Sequence, residues 1–184
     1  MIIIAGTGSS LMARSDEGTL LRAGGWGYIF GDEGSGYALG ACGLNAVAAT
    51  FDGGPSTALR HLLAERYGIA TPDVLKHQVY REHWPVQQVA PLVIEAAQAG
   101  DAEAKRIIAE QTAALARQAG WLARRARPIA PRVALLGGLS QAAFYREALA
   151  AALRAEMPDW HVQEPVHSAL VGALRLAIAE GRKP

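Results

Sequence analysis

The chain has 184 residues, 51% of them hydrophobic, and its 18 basic and 17 acidic side chains leave a net charge of +1. This length fits one domain with its own core, and so balanced a charge gives no electrostatic case for binding nucleic acid or a membrane surface. No apolar stretch is long enough to span a bilayer, and the N-terminus lacks the basic flank of a secretion signal. We therefore expect a cytoplasmic protein without nucleic-acid or membrane partners.

The first elements are a strand and a hairpin. The β-branched run at residues 2–5 predicts a strand covered on both faces. Residues 9–14 and 19–22 flank a polar turn closed by Gly18, which predicts a hairpin. Asp32 and Glu33 then stand before an alanine-rich segment that reaches about residue 49, and acidic residues are favourable at a helix entrance.

Helices dominate the middle of the chain. The pattern predicts one over residues 56–67, ended by Gly68, and another from residue 71 to about residue 80. Residues 85–99 read as helical with Pro91 as a kink or boundary, and residues 102–127 carry a long helical stripe.

Strands and helices alternate towards the C-terminus. Residues 133–136 predict a second buried strand, followed by a helix over 141–156 and a short strand near 160–163. Ser168 is a credible N-cap for a last helix over 169–180. This order predicts an α/β fold with a small central sheet and many helices.

The first strand runs into the loop Gly6-Thr7-Gly8-Ser9. Gly6 and Gly8 permit positive φ and close approach, while Thr7 and Ser9 offer hydroxyl donors to phosphate oxygens. An ordinary turn after a strand remains an equal alternative. No Gly-Lys-Ser/Thr follows, so this is not a Walker loop.

The segment GGWGYIFGDEGSG is a second glycine-rich loop, and it contains Trp26 and Asp32. A tryptophan face can stack on the C–H face of a pyranose, and a carboxylate accepts hydrogen bonds from sugar hydroxyls. The alternative is that Trp26 packs in the core and Asp32 caps the following helix.

Gly137-Gly138 follows the second buried strand. Ligands of α/β sheets bind beyond the carboxyl ends of strands, where a glycine pair lets a flat base lie against the backbone. A plain strand-to-helix turn is the favoured alternative for this pair taken alone. The histidines show no metal-ligand spacing, so we expect no metal site. The one cysteine, Cys42, excludes an internal disulfide and reads as a small buried residue of a helix.

The segments IIIAGTGSS, AGGWGYIFGDEGSGYALG, AAQAGDAEAKRIIAE, VALLGGLS and HSALVGALRLA follow one another in this order. Together they resemble the BadF/BadG/BcrA/BcrD ATPase family, and within it the N-acetylglucosamine and glucosamine kinases. The resemblance implies an actin-like ATPase fold, in which two ribonuclease-H-like lobes close around ATP.

The resemblance also implies roles for particular residues. Thr7, in the loop from Gly6 to Ser9, would touch the ATP phosphates. The amino-sugar site would be lined by Gly25, Trp26, Gly27 and Asp32. Gly137 and Gly138 would flank adenosine, and Ala97 and Gly100 would border the nucleotide.

Members of the family carry a first phosphate loop and a catalytic aspartate upstream of the segment that begins at Met1 here. We therefore expect residues 1–184 to be a single C-terminal lobe without its N-terminal lobe, inactive alone and without a catalytic residue of its own. The complete enzyme would use ATP and Mg²⁺ to phosphorylate glucosamine or N-acetylglucosamine. The partner of this lobe would be the missing lobe or a second copy in a homodimer.

Two alternatives stay open at this point. One is an ATPase activator of a dehydratase, whose iron–sulfur cluster is held by cysteines, and Cys42 alone supports it poorly. The other is a sugar- or nucleotide-binding remnant without catalysis, which the missing acidic residues favour.

Overall fold

The computed structural model describes residues 1–15, 17–126, 128–167 and 169–180. A five-stranded sheet lies at its centre, with the strand order β3-β2-β1-β4-β5. The strands are β1 (Ile2–Ala5), β2 (Ser9–Arg14), β3 (Leu20–Gly24), β4 (Arg132–Leu136) and β5 (His161–Gln163). The predicted α/β fold with a small sheet and many helices is confirmed.

The direction of the strands brings distant loops to one edge of the sheet. Strand β2 is antiparallel to both β1 and β3, whereas β1, β4 and β5 run parallel to one another. Strands β3, β1, β4 and β5 therefore all end at the same edge, which we call the carboxyl edge. The loops that follow Ala5, Gly24, Leu136 and Gln163 all start there.

Seven helices complete the described chain: α1 (Gly36–Phe51), α2 (Leu59–Tyr67), α3 (Pro72–Tyr80), α4 (Ala90–Gln98), α5 (Ala102–Arg125), α6 (Ala143–Glu156) and α7 (Ala169–Glu180). Short 3-10 turns precede α4 (Val86–Val89) and α6 (Gly138–Gln141). The prediction that Pro91 marks a boundary is confirmed, because it lies in the first turn of α4. Ser168, Arg127 and Asp16, the last in the predicted hairpin turn, lie outside the described residues.

One face of the sheet is the core face. Helix α5 packs across β2 and β3, and α6 packs along α5. Ile3, Ala5, Leu11 and Ala13 are buried on this face. Ile2 and Ile4 point to the other face and are only half-buried. The prediction that β1 is covered on both faces is therefore wrong, because on the second face Ile4 lines a cavity.

Helix α1 begins at Gly36, four residues after Asp32, because a backbone turn occupies the segment between them. Ser35 N donates to Asp32 O over 3.0 Å, and the side chain of Ser35 caps the helix by accepting from Ala38 N at 3.1 Å. Asp32 is therefore not the cap, and that interpretation is wrong. A serine at the N-cap position satisfies one of the N–H groups that a helix start leaves unpaired.

The first turn of α1 is tied to the loop that follows β1. Gly36 N donates to Gly6 O at 2.8 Å, and Tyr37 N donates to Thr7 O at 3.1 Å. These N–H groups would otherwise need water or a ligand. The two glycine-rich loops are thus joined backbone to backbone, although about 30 residues separate them in the chain.

Side chains from α5 and α6 hold the loop before α1 at Gly34. Gln111 Oε1 accepts from Gly34 N at 3.0 Å, and the hydroxyl of Tyr145 donates to Gly34 O at 2.5 Å. We call Gln111 and Tyr145 the Gly34 clamp. Tyr145 is fully buried, and this burial raises the pKa of its hydroxyl above the ordinary value. The hydroxyl therefore stays protonated and keeps donating at physiological pH.

Asp101 joins the start of α5 to the start of α2. Its carboxylate caps α5 by accepting from Ala104 N at 2.8 Å, and it also accepts from Ala58 N at 2.7 Å and from the hydroxyl of Thr57. Thr57 and Ala58 are bound in this way instead of extending the helix. Helix α2 consequently begins at Leu59, three residues later than the pattern predicts.

Burial alone would raise the pKa of Asp101, but the hydrogen bonds from Ala104, Ala58 and Thr57 hold this pKa below its ordinary value. The folded state therefore binds the proton less readily than the unfolded state, in which an aspartate has a pKa of about 3.9. The stabilisation is complete above that pH and is lost as the pH falls through the folded pKa.

We predict that Asp101→Asn removes this pH dependence, and that Asp101→Ala lowers the free energy of unfolding at pH 7 by about 1 to 2 kcal/mol through loss of the cap. Urea denaturation between pH 2.5 and 7 measures both effects. Asp73→Asn is the matched control, since Asp73 lies in the first turn of α3 with its side chain 93% exposed. An equal response of the two asparagine variants to pH would contradict the prediction.

We predict that Tyr145→Phe lowers the free energy of unfolding by about 1 to 3 kcal/mol, because it leaves the buried carbonyl of Gly34 without its donor. Tyr67→Phe is the control: Tyr67 also donates to a backbone carbonyl, that of Gln88, but its side chain is exposed and water can replace it. Chemical denaturation of both variants measures the difference. Equal losses would show that the clamp adds nothing beyond an ordinary surface hydrogen bond.

Candidate functional site

A cavity of about 530 Å³ opens at the carboxyl edge, on the face of the sheet opposite the core. We call it the sheet-face cavity. Strand residues form its floor, and the two glycine-rich loops form its wall. Its lining residues are Ile4, Gly8, Ser9, Ser10, Met12, Arg22, Ala23, Gly24, Gly25, Gly27 and Asp32.

Within the wall of this cavity, Asp32 of the second glycine-rich loop lies against Gly8 of the first. A Cβ atom built on Gly8 would lie 2.7 Å from Asp32 Oδ2, so only glycine allows this approach. Asp32 itself has φ of 60°, a left-handed conformation that aspartate tolerates better than most residues. Strained backbone of this kind clusters at functional sites. Asp32 is half-buried and lines the cavity.

The indole of Trp26 does not pack in the core, and that interpretation is wrong. Trp26 is 70% exposed, and Tyr28, Ile29 and Phe30 beside it are exposed as well. Gly25 and Gly27 line the sheet-face cavity, while Trp26 stands outside its lining. Stacking of the indole on a sugar stays a prediction.

The two hydroxyls of the first loop have different surroundings. Ser9 is 5% exposed, and its hydroxyl donates to Glu33 O at 2.8 Å. Thr7 is exposed at the loop tip. Ser9 therefore holds the second loop, and Thr7 is the hydroxyl that faces solvent.

Neither Gly6 nor Gly8 adopts the positive φ that glycine permits. Gly6 N instead donates to Gly8 O at 2.9 Å in a tight turn that needs no left-handed residue. Around Gly6 a Cβ atom would meet nothing within 4 Å, whereas at Gly8 it would meet Asp32.

Gly137 and Gly138 lie where β4 reaches the carboxyl edge. Gly137 has φ of 95°, and a Cβ atom there would clash with the carbonyl oxygen of Ala5, at the end of β1. Gly138 is exposed. A second cavity of about 240 Å³ adjoins Gly137, and its lining includes Ser140, Gln141, Arg146, Gln163 and Glu164. These polar residues were not predicted from the sequence, although ligands of α/β sheets bind beyond the carboxyl ends of strands, and for β5 this points to Gln163 and Glu164.

Ala97 and Gly100 lie away from both cavities. Ala97 is fully buried in α4, and Gly100 forms the turn into α5 by donating to Ala97 O. The next residue, Asp101, binds Thr57 and Ala58 at the start of α2. Neither Ala97 nor Gly100 lines either cavity.

Several residues that shape the site carry no local signal in the sequence. Gln118 Nε2 donates to Glu33 Oε2 at 2.6 Å from a helix 85 residues away. Gln118 Oε1 is buried without a hydrogen-bond partner among the described residues, which is an unusual cost next to the loop. Arg22 is a charged residue of the cavity floor that sequence reasoning passed over.

The described residues contain no group of three or more His, Cys, Asp or Glu side chains placed to hold a metal ion. Within the same ranges, none of the helices has the length and apolar character needed to cross a membrane.

Two characterised proteins resemble the chain in sequence. One is an N-acetylmuramic acid/N-acetylglucosamine kinase of Clostridium acetobutylicum, 37% identical over 114 residues, which are 60% of this chain and 37% of that protein. The other is an N-acetyl-D-glucosamine kinase of Dictyostelium discoideum, 35% identical over 120 residues, 62% of this chain and 38% of that protein. The chain therefore matches well under half the length of either relative.

Two crystal structures have the same fold. A protein of Chromobacterium violaceum assigned as an N-acetylglucosamine kinase superposes with a TM-score of 0.79 and 29% identity, over 95% of this chain and 58% of that one. A protein of Porphyromonas gingivalis with the same assignment gives a TM-score of 0.70 at 22% identity over the same shares, which is a likeness of fold alone.

The fold is that of the actin-like ATPases, as the resemblance implies. The family model of the BadF/BadG/BcrA/BcrD ATPases matches residues 1–177. The chain belongs to the BadF/BadG/BcrA/BcrD ATPase family.

Proposed function

We propose that the protein is part of an ATP-dependent kinase that phosphorylates an amino sugar, either glucosamine or N-acetylglucosamine. The observation that supports this proposal is the close approach of Asp32 to Gly8, which puts a carboxylate beside a glycine- and hydroxyl-bearing loop in one cavity. Phosphoryl transfer depends mainly on such positioning of acceptor and phosphate. The names of the relatives agree with this choice of substrate.

In this proposal the sugar lies in the sheet-face cavity. Asp32 accepts hydrogen bonds from its hydroxyls, and the two clamp residues and Ser9 keep the loop of Asp32 in place. Gly25 and Gly27 let the backbone approach the ring, and the exposed Trp26 covers it from outside. A charged acceptor gives stronger hydrogen bonds than a neutral one.

ATP would lie across the carboxyl edge. Thr7 donates its hydroxyl to a phosphate oxygen, with Gly6, Gly8 and Ser9 shaping the loop. Gly137 and Gly138 flank adenosine at the second cavity. That Ala97 and Gly100 border the nucleotide stays a prediction. Both lie near the start of α2 and not at either cavity, so their location does not support this role.

Mg²⁺ neutralises phosphate charge when it is bound with ATP. The described carboxylates form no cluster that would fit the ion, so no step is assigned to it here.

We further propose that residues 1–184 act as the C-terminal lobe of this kinase. Asp32 is the carboxylate that lines the sheet-face cavity within the described residues, and the proposal uses it to hold the sugar. The general base would then come from the other lobe or from a second copy of the chain, and the chain alone would bind ligands without catalysis.

We predict that Asp32→Asn weakens binding of N-acetylglucosamine about 10-fold or more, because hydrogen bonds to a charged group contribute about 1.5 to 3 kcal/mol. Asparagine tolerates the left-handed conformation, so the fold is kept. Glu33→Gln is the control, since Glu33 faces Gln118 and not the cavity. Titrations followed by NMR measure both affinities, and equal effects of the two variants would reject the role of Asp32.

We predict that Thr7→Val weakens binding of Mg·ATP about 3- to 10-fold, the value of one hydrogen bond, without changing stability. Ser9→Ala should instead lower stability by about 1 kcal/mol, because its hydroxyl already donates to Glu33 O. Titration with a fluorescent ATP analogue and chemical denaturation separate the two effects. Unchanged nucleotide binding in Thr7→Val would contradict the phosphate role of this loop.

A further inference from the structure

The second glycine-rich loop, residues 24–36, meets one face of α5. Gln111, Leu115 and Gln118 are spaced four and three residues apart on this helix, so they lie on one face. Gln111 accepts from Gly34 N at 3.0 Å, and a Cβ atom built on Gly34 would lie 2.8 Å from Leu115 Cδ2. The helix face therefore fits closely against the end of the loop.

Gln118 contacts both ends of this loop at once. Its Nε2 donates to Glu33 Oε2 at 2.6 Å, near the end of the loop. Its Oε1 lies beside Gly24, the first residue of the loop, where a built Cβ atom would come within 2.7 Å of it. Gly24 has φ of 65°, so glycine is required there by its backbone as well as by this contact. One side-chain amide thus bridges the start and the end of the loop.

The amide of Gln118 has a cost in stability. Gln118 is 7% exposed, and its Oε1 is buried without a hydrogen-bond partner among the described residues. A buried oxygen of this kind destabilises the folded state, and methionine would fill a similar volume without it. A polar group that breaks the rules of core packing is expected where the side chain serves a site.

The amide of Gln118 is connected to the sheet-face cavity through Glu33. The side chain of Glu33 accepts from Gln118, and its backbone carbonyl accepts from the hydroxyl of Ser9. Glu33 is therefore held by its side chain and by its main chain. The residue before it is Asp32, whose φ of 60° persists only if the surrounding structure holds it.

We infer that Gln118 is a positioning residue of the sugar site. Through Glu33 it keeps Asp32 in the left-handed conformation in which Asp32 lines the sheet-face cavity. Gln118 itself does not line this cavity, so it acts on the sugar only through the loop. The inference rests on the proposed function, since it is Asp32 that binds the sugar there. Sugar affinity and stability should therefore respond differently to the loss of this amide.

The test variant is Gln118→Met, because methionine is unbranched and favours a helix but makes neither polar contact. We expect N-acetylglucosamine to bind about 3- to 10-fold more weakly, the value of one hydrogen bond. The thermal midpoint of unfolding should be unchanged or higher, since the buried oxygen is gone. Binding of a fluorescent ATP analogue should be unchanged, because Thr7 does not depend on this contact. NMR titration, thermal denaturation and fluorescence titration measure the three effects.

Three further variants serve as controls. Glu33→Gln keeps an oxygen that accepts from Gln118 and should bind the sugar about as well as the unmodified chain. Glu33→Ala removes that oxygen, and adding Gln118→Met to it should cause no further loss, since both changes remove one contact. Gln98→Met, at the exposed end of α4, should change neither affinity nor midpoint. A further loss in the double variant would contradict the action of Gln118 through Glu33.

A readout without ligand separates this inference from the proposed function. A strong NMR cross-peak between the amide and Hα protons of Asp32 marks its positive φ, and it should weaken in Gln118→Met but not in Gln98→Met. An unchanged cross-peak, an unchanged sugar affinity, a lowered midpoint, or equal losses of sugar and ATP-analogue binding would overturn the role of Gln118. If the unmodified chain binds no sugar, the proposed sugar site is rejected, and the cross-peak still decides whether Gln118 positions Asp32.

Discussion

The backbone tie between the first glycine-rich loop and the start of α1 is the constraint on which the site depends. Gly36 and Tyr37 donate to the carbonyls of Gly6 and Thr7, so the N-terminal N–H groups of the helix are used within the protein and not left for a ligand. This tie fixes the distance between Asp32 and Gly8. The carboxylate of Asp32 and the first glycine-rich loop consequently lie in the wall of one cavity.

The sheet topology adds the remaining pieces. Because β1 and β4 are parallel, the loop at Gly6 and the turn at Gly137 begin side by side, and Gly137 lies against the carbonyl of Ala5. Because β3 runs in the same direction, the loop at Gly25 joins them at the carboxyl edge. The edge thus gathers loops from three distant parts of the chain, which is the usual location of ligands in α/β sheets.

The loop of Asp32 has local costs that the rest of the fold offsets. Asp32 is left-handed, and Gln118 Oε1 nearby is buried without a partner among the described residues. The Gly34 clamp and the hydroxyl of Ser9 hold the loop in spite of these costs. A loop restrained from three sides keeps its carboxylate ready for a ligand and loses little further freedom on binding.

The sequence by itself determined the element order, the hairpin, the boundary at Pro91 and the glycine-rich loops, because local patterns of apolar spacing and turn residues are sufficient for these. It also carried the family resemblance, since the residues of GGWG and GDEGS stand in one continuous segment. Only the tertiary structure decided that Ser35 caps α1, that Ser9 is structural and Thr7 exposed, that Trp26 lies outside the core, and that Arg22 and Asp32 line one cavity. Each of these features depends on contacts between residues far apart in the chain or on which face of the sheet stays uncovered. The spacing of neighbouring residues determines neither the contacts nor the uncovered face.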